Sequence, residues 1–302
     1  MYDEMQTRGA PVANEEIKHR TGGFWSNYIY YTGKRWLLLL LLFALSVIII
    51  APIVWTISTS LRTPAQSFSL PPKWFPTDWA TENYTQVFKR IPFWRLIFNS
   101  FFVTLTIVIG QLITATLAGY AFARLDFPGK NVLFWLIMAT LMIPLQATII
   151  PVFVLVSRMG LADTLASLIL PSLFTAFGTF MLRQYFMQIP QEFEEVALID
   201  GASHFYIFSR VYLPLAAPGL AVLAVLAFNG TWNEFFRPLV FLNTQTTFTI
   251  PLGINLLKGY MATGSISVVL AGVVLSLVPV ILVYIFFQRY LVEGIMLGGL
   301  KG

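Results

Sequence analysis

The stretch WLLLLLLFALSVIIIAPIVWTISTSL, residues 36–61, contains no charged side chain. It exceeds the roughly 20 apolar residues that carry a helix across a bilayer. Charges inside hydrocarbon are costly, so long charge-free runs of this kind mark candidate spans. Working outward, further charge-free runs occupy residues 96–123, 131–157, 164–182, 211–233 and 259–288. A seventh run, 238–257, is broken by Asn243-Thr244-Gln245-Thr246-Thr247 and by Pro251, and is read as a loop. The expectation is an all-α membrane protein with about six transmembrane helices, preceded by a tail over residues 1–35. Residues 36–61 are read as a retained helix, because the lead-in is long, Pro52 interrupts the run and no small-x-small cleavage site comes after it.

Composition agrees with that reading. Of 302 residues 57% are hydrophobic and 11% charged, with mean hydropathy +0.74; soluble domains carry about 25% charged residues. Cysteine is absent, which removes disulfides and thiolate chemistry. The two histidines, His19 and His204, are far apart, and no metal site is expected. The net charge of +5 is accounted for by Lys and Arg at span ends, without nucleic acid. With the N-terminus inside, eleven of the 19 Lys and Arg fall on the inner side, a small majority.

The runs contain no buried acid or histidine such as a proton-coupled carrier uses. No Gly-x-x-x-x-Gly-Lys-Ser/Thr phosphate loop occurs either, so any ATP must be bound by another chain. No acid pair or activated nucleophile lies within the spans, as a membrane enzyme would require. A secondary carrier, sodium-coupled through carbonyls and hydroxyls, remains an alternative.

The most charged connection contains Glu194-Glu195-Val196-Ala197-Leu198-Ile199-Asp200-Gly201-Ala202, and then Val211-Tyr212-Leu213-Pro214. Pro190-Gln191-Glu192 is suited to open a short helix, Gly201 to make a turn with positive φ, and Ser203 to cap the segment after that turn. Phe193, Val196 and Ala197 recur at helical spacing, so the segment reads as a helix–turn–helix knob at the membrane surface. An amphipathic loop lying on lipid is the alternative use.

This segment, residues 190–214, resembles the EAA coupling loop of bacterial ABC importers, with Val196 and Val211 as conservative departures. Gly119-Tyr120-Ala121-Phe122-Ala123-Arg124 with Phe127-Pro128-Gly129-Lys130, and Trp232-Asn233-Glu234-Phe235 with Pro238-Leu239, resemble signatures of carbohydrate-importer permeases. The end of the chain, residues 289–302 with Gly298, Gly299 and Lys301, is similar to the tail of the second permease of maltose-type importers. The resemblance implies a type I ABC importer permease fold over residues 36–302, in a bacterial or archaeal cytoplasmic membrane with both termini cytoplasmic. It implies coupling to an ATPase through Glu194, Glu195, Ala197, Asp200, Gly201, Ala202, Leu213 and Pro214, with the tail reaching the same ATPase. The implied partners are a second homologous permease, an ATPase dimer carrying ATP and Mg, and an extracytoplasmic sugar-binding protein. No cofactor is expected in this chain.

Sugar recognition uses hydroxyl-bonding side chains within the spans. Gln146, Thr175, Thr179, Asn229 and Asn233 are the candidates, with bonding to neighbouring helices as the alternative role. The Ala115-x-x-x-Gly119 pair is suited to close helix contact, either within the chain or with a partner.

Overall fold

Lipid supplies no hydrogen bonds, so each apolar run satisfies its backbone internally as a helix. The computed structural model describes residues 13–67, 74–259 and 264–299, and all regular structure among them is helical. In chain order the elements are α1 (Ala13–Ser60), α2 (Pro64–Ser67), α3 (Glu82–Arg90), α4 (Phe93–Arg124), α5 (Lys130–Thr140) and α6 (Leu145–Arg158). Next come α7 (Leu165–Ile169), α8 (Ala176–Gln188), α9 (Glu192–Ile199), α10 (His204–Ile207) and α11 (Leu213–Leu215). The last are α12 (Ala217–Trp232), α13 (Phe236–Phe241), α14 (Ile250–Leu256) and α15 (Ile266–Gly299).

Among the described residues four stretches are long and apolar enough to cross a membrane: Lys34–Ser60, Phe93–Arg124, Leu165–Gln188 and Ile266–Arg289. Two bent pairs bring the total to as many as six. The run 131–157 is therefore not one straight span. It bends by 99° between α5 and α6, where Pro144, in extended conformation, lacks an N–H and forces its predecessor out of the helix. The fifth span likewise bends by 73° before α12, where Pro214 and Pro218 each remove a donor.

The fourth span extends past its expected end at 182 to Gln188. Arg183 is tolerated inside it because its Nε donates to the Phe122 carbonyl at 3.2 Å and its guanidinium lies 4.2 Å over the Phe134 ring. The same span is interrupted between α7 and α8 by a 3₁₀ turn, Leu170–Ser172, and by residues leading to Thr175. Gln111 of α4 donates to the Ser172 carbonyl and Thr114 to the Leu173 carbonyl, each at 2.8 Å. These side chains meet carbonyls at the break, where the helical hydrogen-bond pattern is interrupted.

Residues 238–257 hold no spanning helix, as expected, but they are not featureless: α13 and α14 flank the polar turn. Asp163, with φ +58°, pins that turn. It accepts from the Asn243 and Thr244 amides at 2.8 and 3.0 Å and from the Thr244 and Thr247 hydroxyls. Between α1 and α4, the described residues include the short helices α2 and α3. The tail expected at 289–302 continues α15 as far as Gly299, while Lys301 lies outside the described residues.

The chain divides into two compact units, Met1–Ile57 and Ser58–Gly302, with the boundary inside α1. Exposed side chains from Trp36 to Val54 form an apolar surface on α1 suited to hydrocarbon. In the second unit α4 is the central helix, packed along α8, α12, α14 and α7. One apolar cluster, including Val87, Leu96, Ile107, Phe241, Ile250 and Val268, joins α3, α4, α13, α14 and α15. A second, including Ala115, Tyr120, Leu182, Phe186, Tyr212 and Leu223, lies toward the other end.

The Ala115/Gly119 pair serves internal packing. A Cβ on Gly119 would lie 3.0 Å from the Arg183 amide nitrogen and from Leu182 Cβ, and one on Gly178 would lie 3.1 Å from Ala115 Cβ. Small residues on both helices thus set the close approach of α4 and α8.

Candidate coupling site

The knob is built as the sequence predicts. Helix α9 begins just after Pro190, with Glu192, Glu194 and Glu195 in its first turn, where the helix dipole favours negative charge. It ends in a Schellman arrangement: Ala202 N–H donates to the Ala197 carbonyl at 2.9 Å and Gly201 N–H to the Leu198 carbonyl at 3.0 Å. That closure requires a left-handed residue, and Gly201 has φ +78°. Ser203 Oγ then accepts from the Tyr206 amide at 3.3 Å and caps α10.

The two neighbouring acids point to different environments. Glu195 is exposed with Glu192 and Asp200. Glu194 is only 9% exposed, and the Tyr212 hydroxyl donates to its Oε2 at 2.7 Å. Ala197 and Ala202 face inward onto the second cluster. Phe193, Val196, Leu198, Phe205 and Tyr206 are exposed, as is Ile199 at 85%. A groove of about 500 Å³ runs between α9 and α10, lined by Ala197, Asp200, Gly201, Ala202, Ser203 and Tyr206. Leu213 and Pro214 lie beyond the knob in α11, where they begin the bend toward α12.

Beneath the knob is a socket that the sequence did not disclose. Residues Phe208–Tyr212 form a π-turn that places the wholly buried Tyr212 side chain against Glu194. The Tyr212 ring packs against Tyr120 of α4 at 5.3 Å and Phe186 of α8 at 6.0 Å, measured between centroids. The Arg124 guanidinium stands 4.9 Å over the same ring. Arg124 also donates to the carbonyls of Phe186 and Ile189, where α8 ends and the link to α9 begins. The motif around Gly119 to Arg124 and the motif around Glu194 to Pro214 are thus two halves of one contact. Nothing in their spacing announces this, because more than 60 residues separate them.

The pathway candidates come from three elements, α6, α8 and α12. Thr179 is sealed, with 0% exposure, and its hydroxyl donates to the Thr175 carbonyl at 3.0 Å, so it has no face to offer a solute. Thr175 caps α8 by accepting from the Gly178 amide. Asn229 and Asn233 share an exposed face of α12 and are joined by a 3.0 Å hydrogen bond. Gln146 is exposed on α6. Among the described residues no three His, Asp or Glu side chains gather as metal ligands.

Residues 111–296 match the family of binding-protein-dependent transport system inner membrane components, and the chain belongs to that family. It is 36% identical over 229 residues to the arabinooligosaccharides transport system permease protein AraQ of Halalkalibacterium halodurans, covering 75% of this chain and 81% of that one. It is 35% identical to the sulfoquinovosyl glycerol transport system permease protein SmoH of Agrobacterium fabrum, covering 83% and 88%. It is 32% identical to the sn-glycerol-3-phosphate transport system permease protein UgpE of Brucella abortus, covering 85% and 94%. A crystal structure of a bacterial ABC transporter involved in the import of the acidic polysaccharide alginate contains a chain of the same fold. The TM-score is 0.72 and the identity 30%, over 87% of this chain and 97% of that one. The protein is therefore a multi-pass transport subunit rather than an enzyme, and ATP hydrolysis in such systems belongs to a separate ATPase subunit.

Proposed function

We propose that this chain forms half of the translocation pathway of an importer for a carbohydrate or a related polyol derivative, and that the α9–α10 knob docks its ATPase. The other half is a homologous permease, the ATPase is a dimer, and an extracytoplasmic binding protein delivers the solute. Both termini then lie in the cytoplasm. The cargo class is supported by the names of the relatives, whose solutes are polyhydroxylated.

The observation that carries the docking reading is the knob's surface. It presents Phe193, Val196, Leu198 and Ile199 beside the exposed acids Glu192, Glu195 and Asp200. A helix that rests on lipid is rich in Lys and Arg and is drawn to anionic headgroups, which would repel these acids. A protein cleft with apolar walls and basic groups suits both features.

The chain has no cysteine, so a single introduced thiol is unambiguous. In the assembled transporter, Val196→Cys is expected to crosslink to the ATPase. Modification of that thiol by lipid-phase reagents alone, with no ATPase adduct, would overturn the reading. Asn14→Cys should react with an impermeant reagent only after permeabilisation, and labelling in intact cells would reverse the orientation.

A further inference from the structure

A knob pressed by its partner moves the spans only if something stiff joins the two. Helix α9 is connected to α8 and α10 through turns, and turns absorb displacement. The side-chain hydrogen bond from Tyr212 to Glu194 bypasses both turns.

We propose that Tyr212 is a positioning residue of the transport cycle, whose hydroxyl, bonded to Glu194, passes motion of the α9 knob to α4, α8 and α12. The proposal rests on the docking reading above. Four observations carry it.

The bond is buried at both ends, with Tyr212 wholly inaccessible and Glu194 nearly so. Water therefore does not compete for it, and breaking it leaves a buried polar group unmatched. The bond also depends on the π-turn at Phe208–Tyr212. One extra residue in a turn rotates everything after it by about 100° relative to an uninterrupted α-helix, so without the bulge the Tyr212 side chain would not face α9. Bulges of this kind are uncommon and concentrate at functional positions.

The Tyr212 ring, moreover, is gripped from two other helices: Tyr120 and Arg124 from α4, and Phe186 from α8. Close approach at Gly119 and Leu182 makes α4 and α8 one body, so a push on the ring is felt by both. Finally, Tyr212 stands just before the 73° bend that leads into α12. A small displacement there swings a whole span, including the exposed face that carries Asn229 and Asn233.

The test uses the complete transporter, with ATPase, second permease and binding protein, reconstituted in liposomes. It reads solute imported per ATP hydrolysed. Tyr212→Phe keeps the ring and removes only the hydroxyl. Glu194→Leu removes the acceptor, whereas Glu194→Gln keeps an oxygen for the hydroxyl to bond. Tyr212→Phe and Glu194→Leu are each expected to lower the ratio by about threefold or more, with the ATPase copurifying normally. Glu194→Gln is expected to stay close to the parent, and the Tyr212→Phe/Glu194→Leu pair to be no worse than either single change. Should Tyr212→Phe insert poorly, the contrast between Glu194→Leu and Glu194→Gln decides the question alone. An unchanged ratio in Tyr212→Phe while the Val196→Cys adduct forms would overturn this proposal and leave docking intact. A fall in ratio that merely tracks loss of copurifying ATPase would also overturn it, since a structural defect explains that. Absence of the adduct would remove the docking reading, and this proposal with it.

Discussion

At the scale of single residues, the knob depends on backbone geometry more than on contacts. A Cβ placed on Gly201 would meet nothing within 4 Å, so crowding is not what selects glycine there. The selection comes from φ +78°, a conformation that costs a β-branched residue about 1–3 kcal/mol. Gly201→Val is therefore expected to open the Schellman closure and tilt α10 without unfolding the spans. Uptake should be abolished while membrane abundance stays normal, with ATP hydrolysis falling or persisting without transport. Uptake, ATPase rate and abundance measured side by side check this, and normal uptake would mean the turn is not part of coupling. Gly201 and Ser203 were legible in the sequence because caps and turns are local. Tyr212 was not, because its role depends on a π-turn and on rings from distant helices.

Among the elements, the interrupted fourth span and the loop between α13 and α14 depend on single polar side chains. Gln111→Leu removes the donor that meets the Ser172 carbonyl and should cost about 1–3 kcal/mol. The expected result is a lowered midpoint of thermal unfolding in detergent, with a smaller effect from Gln111→Glu in its protonated form. Asp163 ties α7's approach to the loop between α13 and α14. Its carboxyl is held well below the usual carboxylate range, chiefly by the Thr244 hydroxyl and amide, then by the Asn243 amide and the Thr247 hydroxyl, against the opposing effect of burial. A depressed folded-state pKa means the stabilisation is complete above about pH 4, the ordinary aspartate value, and is lost only as pH falls toward the folded value. The Asn243 and Thr244 amides should therefore be protected from hydrogen exchange at neutral pH, and Asp163→Ala should lose that protection at every pH. Protection unchanged in Asp163→Ala would show that the loop is held by other contacts. Charge-free runs found where the spans lie to within a turn or two, but not their bends: Pro144 permits a 99° change of direction, and packing decides that it happens.

For the whole molecule, the chain is expected neither to bind nor to hydrolyse ATP when purified alone, and to copurify with ATPase when coexpressed with its partners. Nucleotide binding by the isolated chain, measured by equilibrium dialysis, would contradict its role as a transport subunit. Deleting residues 298–302 removes the end of α15 and Lys301, and is expected to impair ATPase assembly or regulation while leaving insertion intact. Wild-type behaviour in copurification, ATPase rate and uptake would show that the tail has no part in coupling.

The sequence by itself determined the features that local chemistry controls. Long charge-free apolar runs such as 36–61 must be helices in lipid, because no other open structure satisfies the backbone there. Pro190, Gly201 and Ser203 mark helix ends because their conformational and capping preferences act within a few residues. The resemblance of residues 119–130, 190–214 and 232–239 to permease signatures carried the family. Tertiary structure alone decided how these pieces meet. It turned Glu194 inward and left Glu195 exposed, sealed Thr179 within the bundle, and kept Arg183 inside a span by giving it the Phe122 carbonyl and the Phe134 ring. Each of these outcomes depends on a side chain dozens of residues away or on the face a helix turns to its neighbour. Helical periodicity alone did not specify either, because runs that are apolar on every side leave the buried face to be chosen by packing.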